Sequence, residues 1–158
     1  NVLGSELLDR IVDRTMRCGD IRIGLDLIKR SVMNAEKAAR TSVTDEDVTN
    51  AFSVSRDLRL AELIRVLSDD EANVLFQLAE MTNDTDIVTT KSVHTALGEK
   101  ATGYTRYVQI LEKLDHLRLV TLSYQNTGSG RIRIISLRYD PKRVLSFRKG
   151  ETGCKANS

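Results

Sequence analysis

Apolar residues recur through positions 1 to 67 at spacings of three and four, the period of helices that bury one face. Leu7, Leu8, Ile11, Val12, Thr15 and Met16 form one such stripe, with Ser5 placed to cap its start and Gly19 to stop it in the left-handed conformation. Asp20 is placed to cap a second, longer helix with Ile21, Gly24, Leu25, Ile28, Val32, Ala35 and Ala39 on one stripe, and Arg22, Asp26, Lys29 and Glu36 on its flank. Thr44 and Asp47 have the spacing of a capping box that opens a third helix carrying Val48 and Ala51. That helix either continues through Leu58 to Leu67 or breaks near Ser53 to Ser55. The pattern predicts a small helical bundle without strands.

Ser68 with Glu71 makes a cleaner capping box, and a domain boundary is expected near 67, between residues 1–67 and 68–149. The helix that follows turns Ala72, Leu75, Leu78 and Ala79 inward, then Asn83-Asp84 ends it before a short β-prone Ile87-Val88-Thr89. Thr90 is placed to cap a short helix with Val93 and Leu97, stopped by Gly98; Tyr104, Tyr107, Val108, Leu111, Leu114 and Leu117 then mark another helix. Val120, Leu122 and Tyr124 alternate with polar residues, and Asn126-Thr127-Gly128-Ser129-Gly130 turns the chain into a second strand, Arg131 to Tyr139. Ile132 and Ile134 have one parity, and Ile135, Leu137 and Tyr139 the other. A β-bulge near Ile134 is therefore expected to bury all five. Pro141 ends the strand, Arg143 to Phe147 form a last helical turn, and 150–158 read as a polar, disordered tail. The expected fold class is mainly α with a small β wing: a helical bundle, then a winged helix-turn-helix.

Composition narrows the class. With 41% hydrophobic and 29% charged residues the chain has the make-up of an ordinary globular protein. No apolar run is long enough to span a bilayer, so no membrane partner is expected. Cys18 and Cys154 lie far apart and read as free thiols of an intracellular protein. The net charge of +2 conceals a division: residues 68–99 hold seven acids and one base, whereas 100–149 hold eleven bases and three acids. An excess of eight positive charges on the later part is the footprint of a surface that meets phosphates.

Candidate chemistry follows that charge. Opposite the apolar stripe of the Tyr104 helix lie Thr102, Thr105, Arg106, Gln109, Lys113 and His116, donors and acceptors of the kind a recognition helix offers to base edges and phosphates. Arg131 and Arg133 leave one side of their strand just after the tip formed by Asn126, Gly128, Ser129 and Gly130. There the arginines have the spacing to enter a minor groove while the glycines let backbone approach phosphates. The bland alternatives are a solvated polar face and a pair of solubilising arginines. His94 and His116 lack partners at metal-ligand spacing, no catalytic triad is visible, and Gly128-Ser129-Gly130 lacks the lysine and helix of a phosphate loop. These residues are expected to bind and not to catalyse.

The run Gly19-Asp20-Ile21-Arg22-Ile23-Gly24-Leu25-Asp26 resembles the second-sensor motif in the lid of AAA+ ATPases. Its spelling is similar to that of archaeal replication initiators of the origin-recognition-complex and cell-division-control family, where it runs Gly-Asp-x-Arg-x-Ala-Leu-Asp. One position departs, Gly24 for the alanine. The resemblance covers roughly residues 1 to 147 and implies an AAA+ lid at 1–67 followed by a winged-helix DNA-binding domain at 68–149. It implies a nucleotide-sensing role for Arg22 toward ATP or ADP, with magnesium, held by a core outside these residues. It further implies double-stranded origin DNA, a replicative helicase and other initiator subunits as partners, and a cytoplasmic, nucleoid-associated location. For Arg22 the residues alone leave open a surface pair with Asp26. Two rival functions also remain at this point: a transcription regulator dimerised by the N-terminal helices, and a winged helix that docks a basic protein on its acidic side.

Overall fold

The computed structural model describes residues 2–151, with side chains through Arg148. Seven helices and three strands follow in the order α1 (Ser5–Cys18), α2 (Ile21–Lys37), α3 (Asp45–Arg65), α4 (Asp69–Asp84), β1 (Val88–Thr89), α5 (Thr90–Leu97), a 3-10 turn (Gly98–Lys100), α6 (Tyr104–His116), β2 (Val120–Thr127), β3 (Gly130–Leu137) and α7 (Pro141–Glu151). The chain forms two compact units, residues 1–59 and 60–158. That division falls inside α3 and not at residue 67, because Leu60 and Leu63 belong to the apolar cluster of the second unit.

In the first unit, Ile11, Ile23, Leu27, Ala35, Val43, Val48 and Ala51 are buried together. Gly19 adopts the expected left-handed conformation (φ 68°) and closes α1, while Asp20 accepts from the Arg22 amide at 3.0 Å and caps α2. Ser5 does not cap α1; Gly4 holds that position and offers only its carbonyl, to the amide of Leu8. The inward stripe is also narrower than the apolar pattern. Leu8, Val12, Met16, Ile21 and Leu25 are exposed, and α2 instead buries Ile23, Leu27, Ser31 and Ala35 at helical spacing, with Gly24 between them. The third helix does not break at Ser53 to Ser55. Thr44 and Asp47 form the capping box at its start, and Arg40 grips both carboxylate oxygens of Asp47 at 2.7 Å. Those bonds outweigh the burial that opposes ionisation and hold the Asp47 carboxyl far below the usual carboxylate range.

In the second unit, α4, α5 and α6 surround Leu75, Leu78, Val93, Tyr107, Ile110, Leu111 and Leu114, and the three-stranded antiparallel sheet, ordered β1-β3-β2, adds Val88, Val120 and Ile135. Ser68 and Glu71 form the expected capping box. The cap of α5 is Thr89, one residue earlier than expected, in a reciprocal pair with Ser92. Pairing runs without a bulge from Val120↔Leu137 to Thr127↔Gly130. Ile135 and Leu137 therefore face the core with Val120 and Leu122, and Ile132 and Ile134 take the other face, half-buried, with Thr89 of β1 paired beside Ile134 in the sheet. The turn is tighter than expected: only Gly128 and Ser129 lie outside the paired strands, and Asn126 is paired with Arg131. Beyond the sheet, Asp140 accepts from the Lys142 amide at 2.9 Å and Pro141 opens a complete helix where one turn was expected. Gly150 and Glu151 end that helix, while Cys154 and the rest of the expected tail, 152–158, lie outside the described residues. Helix, strand, helix, helix, hairpin is the winged-helix order, preceded here by a helical bundle.

Candidate nucleic-acid interface

The apolar positions of α6 decide which of its polar residues face outward. Tyr107, Ile110, Leu111 and Leu114 are buried on one side, so Thr105, Gln109, Glu112 and His116, at spacings of three and four, form the opposite, exposed row. Glu112 places a carboxylate in the middle of this row and was not among the expected site residues. Thr102 does not belong to it. That residue lies before the helix begins, half-buried, where its carbonyl oxygen is 3.3 Å from Nε2 of His94.

Arg106 and Lys113 sit on the flank of the row and are drawn toward α4. Lys113 Nζ donates to both oxygens of Glu71, at 2.9 and 2.8 Å, and Arg106 Nη2 lies 3.4 Å from Oε1. The Glu71 side chain is only 4% exposed, whereas those of Arg106 and Lys113 are 46% exposed. Burial works to raise the Glu71 pKa. The hydrogen bonds from Lys113 and the Ser68 amide, with the charges of Lys113 and Arg106, outweigh it and hold the carboxyl below its ordinary value. One buried carboxylate thus offsets part of the positive charge that the sequence credits to the helix. Nothing in the local sequence distinguishes Glu71 from any other residue that closes a capping box.

The wing arginines are differently placed. Arg131 and Arg133 share a strand face with Ile135 and Leu137, the face that packs inward further along β3. Tyr124, directly opposite Arg133, is 56% exposed, and its ring lies 4.1 Å from the Arg131 guanidinium carbon and 5.7 Å from that of Arg133. Among the described residues neither arginine pairs with a carboxylate. Two hydrogen bonds tie this strand to α6: the Tyr107 hydroxyl donates to the Thr90 carbonyl at 2.8 Å in the interior, and the Thr90 hydroxyl, part-buried, donates to the Arg133 carbonyl at 3.3 Å. Burial pushes the Tyr107 hydroxyl pKa up, with the charge of Arg133 opposing it. Tyr104, 60% exposed, and His94 meet edge to face, and both rings lie tilted against Tyr107. The sequence pattern marks Tyr124 only as the third member of an apolar strand face; its role beside two arginines follows from the two-residue turn that fixes the register.

In the first unit Arg22 is exposed in the first turn of α2, and its side chain makes no hydrogen bond or ion pair among the described residues. Asp26 does not pair with it. That carboxylate accepts instead from Arg30 Nε and the Ser55 hydroxyl, each at 2.6 Å.

Residues 1–53 match the Cdc6 AAA+ ATPase-type lid domain family. Over 147 residues the chain is 39% identical to the ORC1-type DNA replication protein 3 of Haloarcula marismortui, covering 91% of this chain and 38% of that relative. It is 34% identical over 142 residues to the ORC1-type DNA replication protein 6 of Halobacterium salinarum, covering 88% and 37%. Its fold is that of the corresponding part of the Aeropyrum pernix ORC1 protein, solved in complex with DNA, with a TM-score of 0.74 at 23% identity over 96% of this chain and 42% of the other. The chain spans less than two fifths of the length of these curated relatives.

Proposed function

The chain belongs to the archaeal ORC1-type replication initiator family, whose lid and winged-helix parts it spans, and we propose that its winged helix holds duplex DNA at a replication origin. The observation that carries this reading is the Arg131 and Arg133 pair on the inner face of the wing, without a carboxylate partner among the described residues and tied through Thr90 and Tyr107 to a helix whose outward row offers Thr105 and Gln109. Helix α6 enters the major groove with Gln109 and Thr105 toward base edges and with Arg106 and Lys113 at the margin, toward phosphates. The wing, through Asn126, Gly128, Ser129, Gly130, Arg131 and Arg133, follows the backbone into the adjacent minor groove.

Arg22 is proposed to serve the intact protein as a nucleotide sensor. Its exposure in a helix's first turn, free of Asp26, supports this over a surface ion pair. The residues of this chain do not make a nucleotide site themselves, since they include no phosphate loop and one guanidinium is too little to hold ATP. ATP or ADP with magnesium, helicase loading and contact with other initiator subunits are proposed for the whole protein.

Titrating a labelled duplex at two salt concentrations tests the DNA reading. Affinity is expected to fall with a slope near −0.9 per neutralised phosphate, because each lysine or arginine contact releases condensed counterions. A chain that leaves the duplex unshifted at low salt removes the reading.

A further inference from the structure

We propose that Tyr124 is the positioning residue of the wing, holding the Arg131 and Arg133 guanidiniums in a stack before DNA arrives. This deepens the DNA-binding reading and rests on it. Tyr124 is paired directly with Arg133 and diagonally with Arg131, so the ring lies against both side chains, within the distance at which a cation is attracted to an aromatic face. Packing does not explain the ring's position, since the core ends at Leu122 and Tyr124 stays exposed. Among the described residues no carboxylate holds the arginines either, in contrast to Arg106 and Lys113 on α6. The arrangement presents two charged groups on the same sheet face that carries the core residues, anchored by the hydrogen bond from Thr90 to the Arg133 backbone. Two free arginine side chains lose rotamer freedom when they bind, a cost of about fivefold to more than a hundredfold in affinity, and stacking them in advance removes part of it.

The test is a thermodynamic cycle on the full 158-residue chain, with an A·T-rich labelled duplex as probe. Tyr124→Ala is expected to weaken binding about tenfold and to flatten the salt dependence toward that of the Arg131→Ala/Arg133→Ala variant, because unstacked arginines make fewer simultaneous phosphate contacts. Tyr124→Phe keeps the ring and is expected to bind as the parent does, which also shows that the position tolerates change without loss of fold. In the Arg131→Ala/Arg133→Ala background, Tyr124→Ala is expected to have no effect. An equal loss in both backgrounds means that Tyr124 touches DNA itself and overturns the proposal, as does undiminished binding by Tyr124→Ala. If removing both arginines leaves binding intact, the wing reading fails and the inference falls with it; a loss there with none in Tyr124→Ala sinks the inference alone.

Discussion

Thr15 occupies the space that a side chain at position 24 would need. Its Oγ1 lies 2.5 Å, and its Cγ2 2.9 Å, from the point where a Cβ on Gly24 would stand. The glycine that departs from the alanine of the similar sensor motif therefore has a local cause: α1 presses a threonine, itself bonded to the Ile11 carbonyl at 2.7 Å, against the buried side of α2.

Gly24→Ala alone should destabilise the first unit by about 1 kcal/mol, because overpacking by one methyl (about 1 to 3 kcal/mol) exceeds the gain of about 1 kcal/mol from helix propensity. In a Thr15→Ala background the same change should stabilise, since the space is then free. Denaturant unfolding of the four proteins gives the coupling. Additivity within about 0.5 kcal/mol would mean that the helices separate at no cost and the contact is incidental.

Arg40→Ala should shift the acid limb of stability. Asp47 has its folded pKa depressed below 3.8, so its contribution is fully present above that pH and is lost as pH falls through the folded value. Without Arg40 the folded pKa rises toward 3.8, so the loss is smaller and is complete at higher pH, and Asp47→Asn should abolish this part of the pH dependence and cost about 2 kcal/mol at neutral pH, from the broken cap and ion pair. Acid titration of unfolding free energy checks it; superimposable curves for parent and Asp47→Asn refute it.

On α6, structure and DNA binding should separate. Lys113→Ala leaves the Glu71 carboxylate with a poorer partner and is expected to cost about 1 to 3 kcal/mol of stability. It should weaken duplex binding without changing base preference. Gln109→Ala is expected to leave stability within about 0.5 kcal/mol and to relax discrimination at one base pair by about 1 to 3 kcal/mol. Competition between specific and random duplexes reads the second effect. Loss of discrimination in Lys113→Ala instead would place that side chain on a base edge.

Arg22→Ala should leave the stability of this chain unchanged within about 0.5 kcal/mol, because the side chain is exposed and has no partner among the described residues. Calorimetry should detect no ATP binding by the chain, with or without Arg22. In the intact protein the same substitution is expected to slow ATP turnover while duplex binding by the winged helix persists. Wild-type turnover in that variant would return Arg22 to the status of a surface residue.

Local chemistry determined much of this protein. Gly19, Asp20, the Thr44–Asp47 and Ser68–Glu71 capping boxes and the period-two alternation of Val120, Leu122 and Tyr124 act within a few residues of themselves, and the element order and the winged-helix topology were legible from them. Tertiary packing decided the rest. Which apolar residues of α1 and α2 turn inward depends on the helix that packs on them, so Leu8, Met16 and Leu25 stand exposed although they fit a stripe. Pairing stays in register along the whole hairpin, so Ile132 and Ile134 remain half-buried on the second face of β3 and do not join Ile135 and Leu137. Above all, the charges of α6 and the wing differ in partners, not in type: Glu71 reaches Lys113 across 42 residues, and Tyr124 meets Arg131 and Arg133 across a hairpin. Coulomb attraction and cation–π contact depend on distance in space, and only the fold brings those groups together.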